Sequence, residues 1–474
     1  VTPEHDNCVA TQPLLKRDIL MISRKIRRRP NAASVVAVAL LAACGGGGGG
    51  TPQGGVVPSA RSVSSIRTAS PPKWQETVIH SFGGSDGAGP VSNLIPGDKG
   101  SFIGTTLFGG IGAGTVFELT PSGSSYSEKV LYNFKGGLDG ESPWGIVADA
   151  GGTIYGITFL GGSSGNGGNG WGTVFKLTPE GSGYTESVLY RFTGGTDAWE
   201  PVGPPVLDAN GAIYGVSSFG GARNDGAVFK LAPNESGYVE SVIYSFPGGS
   251  GGQLPQAGLT IDKHASIYGT TMYGGSTQGY CGSDGGCGTV FKLTRKGSGY
   301  SESIIHAFNG SDGNLPFGVV TSSERTGAIY GTTYWGGVKG VGVVFKLTPH
   351  GSTYAESVLH NFKGNADGFL PEGTLLLGSG GVLYGTAALG GGGCHGIGCG
   401  TVFELMPSHP GYAFRVAYDF KKPIHGAEPQ QTNLLSDASG AIYGVTRSGG
   451  SQTSCSDGGP GGALGCGTVF KIVP

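Results

Sequence analysis

Charge is scarce in this sequence, and so is any long apolar run. Asp, Glu, Lys and Arg make up 13% of the 474 residues, and the formal net charge is −2. Residues 1–43 hold seven Lys/Arg against three Asp/Glu, which leaves the chain from Cys44 onward at −6. Without a basic stripe there is nothing to neutralise a phosphate backbone, so a nucleic-acid partner is not expected. The Ala/Val/Leu stretch from Ala32 to Ala43 is too short to span a bilayer. No Gly-x-Ser-x-Gly elbow or phosphate loop stands between a strand and a helix, and no Asp-x-Asp-x-Asp-Gly calcium loop occurs. The residues therefore assign no catalytic group, no metal and no cofactor.

Glycine and repetition are what the chain has in quantity. Glycine accounts for 96 residues. Such a composition would suit a disordered chain, but here the glycines fall at fixed offsets between β-branched and aromatic runs, as turns between short strands. One sentence recurs: Gly-x-Ile-Tyr-Gly-Thr-Thr-x-x-Gly-Gly, then Gly-Thr-Val-Phe-Lys-Leu-Thr-Pro, then Tyr-x-Glu-Ser-Val-Leu-Tyr-x-Phe. Its Val-Phe pair stands at Val116, Val174, Val228, Val290, Val344, Val402 and Val469, spaced by 54 to 67 residues. That period suits a propeller blade, not a helical solenoid.

Each copy reads as four strands. In the fourth copy, strand A is 258–262, B is 266–271, C is 289–293 and D is 302–308. Strand C is apolar on both faces of the pleat, as when a sheet is covered on both sides by neighbouring blades. One copy alone could not hide those faces, so the array must stack or close. The ends favour closure. Residues 74–474 open on a lone D strand, Glu76 to Phe82, and end on a C strand, Thr468 to Ile472. The expected fold is all-β, a seven-bladed β-propeller of four-stranded blades closed by an N-terminal strand completing the last blade. An open β-solenoid would need no such complementary ends.

The N-terminal segment reads as an address. Arg24, Lys25, Arg27, Arg28 and Arg29 form a positive region ahead of the Ala/Val/Leu stretch, as in a signal peptide. Leu41-Ala42-Ala43-Cys44 resembles the lipobox of bacterial lipoproteins. The resemblance implies cleavage before Cys44 and lipidation of its sulfur, and Gly45 after it implies outer-membrane delivery. An ordinary secretory signal with a chance cysteine is the alternative. Residues 1–20 fit neither scheme; Met21 would be a natural start, and Cys8 would then be absent from the mature protein. Residues 44–73, with six glycines after Cys44, form a Gly/Pro/Ser/Thr tether that can hold the domain roughly 30 Å from the lipid.

Two further resemblances rest on the repeat. The Ile-Tyr…Gly-Gly phrase with its strand pair and aromatic is similar to kelch blades, with Tyr184, Tyr238, Tyr300 and Tyr354 in place of the kelch Trp. More closely, residues 74–474 resemble the GloVer-type (choice-of-anchor) bacterial tandem-repeat proteins, which are secreted or anchored by varied terminal devices. This resemblance implies architecture and location only. Sialidase-type Asp boxes and the Trp-docking motifs of quinoprotein propellers are absent.

Function, if the chain follows its scaffold, lies on one face. The A–B and C–D turns are nearly uniform, whereas the B–C loops run from Leu107–Ala113 to Arg447–Cys466. Uneven loops on a rigid frame mark the working side, here the face of the D–A and B–C connections. Six cysteines fall in three B–C loops, and Cys281 with Cys287, Cys394 with Cys399, and Cys455 with Cys466 read as local disulfides of an oxidising compartment. Zinc at Cys394-His395 is the weaker alternative. Trp144 and Trp199 lie in D–A connections, Trp171 and Trp335 in B–C loops. They either contact a glycan or protein ligand or wedge between blades. The recurring Asp of the D–A loop (Asp86, Asp139, Asp197, Asp312, Asp367) reads as a turn cap before a ring of carboxylates. His80, His306 and His360 take the place of Tyr132, Tyr190 and Tyr244 and read as core. Three function classes follow: a surface-anchored binding propeller for a glycan or cell-surface protein; a glycan-active hydrolase or lyase using Glu200, Asp225 or Asp457; or a structural envelope component.

Overall fold

The computed structural model describes residues 74–474, apart from 164, 278–280, 283–284, 298, 395–396, 453–454 and 456–464. The start-site, signal, Cys44 and tether readings lie outside those residues, as do Asp457 and His395. The described strands form seven antiparallel sheets, each with four strands in the order A-B-C-D. The architecture is an all-β propeller of seven four-stranded blades. Blade 3 is the most regular, with Ala198–Leu207, Ile213–Gly220, Ala227–Asn234 and Gly237–Ser245. No helix among the described residues is long and apolar enough to cross a membrane.

Strand A differs most from the sequence expectation. In blade 4 it is ordered as a strand only over Thr260–Ile261, and in blades 1 and 5 it is split, into Ala88–Pro90 with Ile95–Pro96 and Asn314–Pro316 with Thr321–Ser322. The break comes just after a recurrent proline: Pro90, Pro143, Pro201 and Pro316 still pair with strand B, and in blades 2 and 3 strand A continues past the proline with a register shift. In blade 7, Leu435–Ser436, Ile442–Thr446 and Thr468–Val473 pair in order, and Gln75–Ser81 lies antiparallel to the last of them, with Val78 opposite Phe470.

The blades meet through three contacts repeated seven times. The phenylalanine ending each D strand packs edge-to-face on the Val-Phe phenylalanine of the next blade. The seven pairs run from Phe82–Phe117 to Phe420–Phe470, at centroid separations of 4.9–5.3 Å. Such pairs add about 0.5–1.5 kcal/mol to the burial of the rings themselves. The glycine of Ile-Tyr-Gly-Thr makes room for this ring: a Cβ on Gly156 or Gly215 would sit 2.3 Å from the Cζ of Phe175 or Phe229. Second, the glycine of Gly-Thr-Val-Phe receives the next blade's proline. A Cβ on Gly172 would fall 2.5 Å from the Cδ of Pro201, and one on Gly467 would fall 2.4 Å from that of Pro90, across the closure.

The third contact is a backbone latch. The residue before each proline donates its N–H to the carbonyl preceding the glycine, as in Leu254 to Asp225 at 2.8 Å and Gly89 to Cys466 at 2.8 Å. All seven latch residues have positive φ, between 52° and 62°, and three of them are the leucines Leu254, Leu315 and Leu370. Left-handed backbone in a bulky residue costs about 1–3 kcal/mol, and here the interblade hydrogen bond and the seated proline hold it in place.

Trp74 also finds its place. It occupies the position of the D-strand tyrosine (Trp74-x-Glu76 against Tyr300-x-Glu302) and packs on Tyr384 at 6.0 Å, as Tyr300 meets Tyr214.

Candidate functional site

The outer seam between blades explains the aspartate series. Asp139 accepts hydrogen bonds from the backbone N–H of Lys135 (2.7 Å) and the hydroxyl of Tyr132 (2.7 Å). Asp197 does the same with Thr193 and Tyr190 (2.8 and 3.1 Å). His80 meets Asp86 at 3.0 Å, His306 meets Asp312 at 3.2 Å and His360 meets Asp367 at 3.2 Å, so these histidines do stand in for the tyrosine. Each aspartate caps a turn and anchors the strand that leads into it. At the two joints without the aspartate, the tyrosine turns to the next blade's D-strand glutamate: Tyr244 to Glu302 at 2.6 Å and Tyr418 to Glu76 at 3.3 Å. At four of the other five joints that glutamate faces an aspartate, and at the fifth Phe414 takes its place and stacks on His360 at 3.7 Å. Burial, with a nearby Asp as a further cause, pushes Glu128, Glu186 and Glu240 up to about 7. No group of three or more His, Cys, Asp or Glu side chains among the described residues is arranged to hold a metal.

The D–A/B–C face carries the three disulfides: Cys281–Cys287, Cys394–Cys399 and Cys455–Cys466. They fit an extracytoplasmic protein. The four tryptophans of this face sit in three different settings. Trp199 is only 5% exposed, stacks on Phe219 at 4.5 Å and donates from Nε1 to Asn224 Oδ1 at 2.9 Å. Trp171 meets it edge-on at 5.0 Å and is clamped between Gly165 and Gly194 of two loops. Trp335 packs edge-to-face on Tyr334 at 5.1 Å beside the blade 6 residues Leu370 and Leu389. Trp144 is half-buried, with Phe159 at 5.3 Å, and packs against the same core cluster as Trp171. The structure thus joins Trp171 with Trp199, sets Trp144 on their cluster and holds Trp335 on another.

Around the axis the repeat stops repeating. Strands A of neighbouring blades approach there, Asn93 bridging to Asn433 and Thr374 to Asn433. The residue after each latch proline is aromatic in Trp144 and Phe317, an amide in Gln256 and Gln430, aliphatic in Val91 and Val202, and a carboxyl in Glu372. The residue after the Ile-Tyr-Gly-Thr-Thr phrase of strand B differs in every blade: Leu107, Phe159, Ser218, Met272, Tyr334, Ala388 and Arg447. The two positions touch one another. Trp144 packs on Phe159, Phe317 lies 5.9 Å from Tyr334, Gln256 donates to Ser218 at 2.9 Å, and Arg447 donates to Gln430 at 3.0 Å. Both positions lie where the chain enters strand A or leaves strand B, on the D–A/B–C face.

One sector of this mouth is charged. Glu372 and Glu428 are buried, at 6% and 0% exposure, the second in a latch position that is leucine in three blades. Burial pushes the Glu372 carboxyl up to about 8, with Arg447 opposing and the negative charge of Glu428 adding. The Tyr334 hydroxyl is held well above its usual range by burial and then by the same two glutamates. A carboxyl that keeps its proton at neutral pH is a hydrogen-bond donor as well as an acceptor. Of the loop carboxylates singled out by sequence, Glu200 is buried and accepts from Asn166 at 3.4 Å, while Asp225 abuts the D–A loop at Gly248. The Glu372, Glu428 and Arg447 sector was not among them. Aligning the residues on either side of the latch proline, with the one after the Ile-Tyr-Gly-Thr-Thr phrase, across the seven copies would have found it.

Solved structures with the same general form are distant. A Thermus thermophilus protein named as a candidate glucose dehydrogenase is 16% identical over 70% of this chain and 96% of its own, at a TM-score of 0.40. The PQQ-bound aldose sugar dehydrogenase of Streptomyces coelicolor is 12% identical over 73% and 97%, at 0.41. The extracellular domain of a candidate one component system from B. thetaiotaomicron is 12% identical over 78% and 39%, at 0.49. None of these bears on what this chain binds. No curated protein matches it. The model of one repeat family, however, matches residues 49–281 and again 279–474, so that the chain belongs to the Gloeobacter/Verrucomicrobia repeat family.

Proposed function

We propose that this protein is an extracytoplasmic binding propeller, held at the outer membrane through a lipidated Cys44, that takes a glycan or a cell-surface protein on its D–A/B–C face. One observation carries the reading: in a chain whose seams repeat seven times, the side chains of the axial mouth are blade-specific. Packing explains a repeated residue, whereas a set of unlike residues gathered at one place is what an asymmetric ligand requires. The disulfides support the location, because they stiffen glycine-rich loops on that same face. The test is a glycan array beside a pull-down from the cell surface, both with the full chain, against a variant with Trp144, Trp171, Trp199 and Trp335 each changed to Ala. Saturable binding that the variant loses supports the reading, and a folded wild type that captures nothing in either assay overturns it. Radiolabelled palmitate incorporated into the wild type but not into Cys44→Ala supports the anchor.

A further inference from the structure

We infer that the axial mouth takes the end of a neutral, hydroxyl-rich sugar chain, with Trp144 and Phe317 offering ring faces and Glu372, Gln430 and Arg447 the polar contacts. This rests on the binding reading above and narrows it to one ligand class and one place.

The geometry argues for each part. Trp144 with Phe159 and Phe317 with Tyr334 form two aromatic pairs of half-buried rings on the same mouth. The C–H face of a sugar ring stacks on such surfaces without needing a charge. Between the blade 5 and blade 7 residues lies Glu372, more than nine-tenths buried. A protonated carboxyl in such a place can both donate to and accept from a ligand hydroxyl. The groups facing it are Arg447, Glu428 and Tyr334. With Glu372 protonated, Arg447 balances Glu428 and the sector carries no net charge. An anionic ligand would meet Glu428, and a cationic one would meet Arg447. A neutral polyol meets neither penalty, and it can both donate to and accept from the carboxyl, amide and guanidinium groups.

The experiment is a glycan array followed by calorimetric titration of the best neutral oligosaccharide into the full chain at pH 7 and pH 9. Wild type is expected to bind at pH 7 and to weaken about 10-fold at pH 9, as Glu372 loses its proton. Glu372→Gln, which keeps the shape and cannot ionise, is expected to flatten that pH profile, a result that a merely structural role would not give. Trp144→Ala and Phe317→Ala should each weaken binding at least about 10-fold with an unchanged melting temperature. A neutral sugar that binds equally in those two variants, or whose wild-type affinity is the same at both pH values, overturns the site. Binding of charged glycans only, or of a protein only, overturns the ligand class while leaving a binding propeller. Capture of nothing by either route removes both readings together.

Discussion

The seam between blades and the mouth around the axis are built from the same seven copies by opposite rules. At the seam, every blade offers the same phenylalanine, glycine and proline, and the seven phenyl pairs differ by only 0.4 Å in separation. At the mouth, the residue after the Ile-Tyr-Gly-Thr-Thr phrase of strand B is different in every blade. The difference separates what stability demands from what stability does not explain. A residue that must fit its neighbour has one solution, repeated. A residue that points at something outside the fold is free to differ.

Each prediction can break or sharpen this contrast. The largest effect belongs to the seam. Phe246→Ala removes a fully buried ring and its partner contact with Phe291, and should cost about 3–5 kcal/mol in denaturant unfolding. A loss as small as that of an exposed residue would mean that the seam is not the source of stability. Next, opening Cys281–Cys287 by a double change to Ser should cost about 2–3 kcal/mol, with the seams intact. Tyr244→Phe leaves the half-buried Glu302 without its donor and should cost about 1–2 kcal/mol, where the same change at Tyr132 leaves Asp139 its backbone partner and costs less. At the mouth, Glu372→Gln should change stability by less than about 1 kcal/mol, or raise it, because it removes a buried ionisable group.

The smallest effect is one of pH. Glu128, Glu186 and Glu240 have carboxyls raised from 4.5 to about 7, so folding takes up protons. Their contribution is fully present below the unfolded value near 4.5 and is lost as the pH rises through about 7. The melting temperature should therefore fall modestly from pH 5 to pH 8. The triple change of these three residues to Gln should remove that slope. A slope of the opposite sign would show that the outer seam holds these groups ionised.

The sequence carries the repeated part of this molecule openly and the unrepeated part poorly. Strand C is legible because Val174, Phe175 and Leu177 are buried on both faces of the pleat, a pattern few other elements share. The strand at Gln75–Ser81 is legible from Glu76 to Phe82, because its phrase is that of strand D. The three disulfides pair from loop position alone. Strand A is uneven where the sequence reads it as uniform: it shrinks to Thr260–Ile261 in blade 4 but runs through the latch proline over Glu141–Ala148 and Ala198–Leu207. Trp74 escapes the repeat because a Trp in place of a Tyr does not look like the same letter. Glu372 and Glu428 are hidden for a deeper reason. Each lies in a stretch that is apolar in most other copies, and only the approach of seven strands A to one axis shows them beside Arg447.

The proline-into-glycine joint has a consequence of its own. It gives each blade a plug on one side and a socket on the other, identical throughout, so any blade can follow any other. A duplicated, deleted or transposed blade would find a fitting plug and socket without a new contact being invented, and the outer-seam pairs such as Tyr244–Glu302 and the angle of closure would count against it. The axial residues travel with their blades. Shuffling whole blades would therefore deal a new set of side chains to the mouth at one stroke, which makes recombination, and not point substitution alone, a short route from one specificity to another in this family.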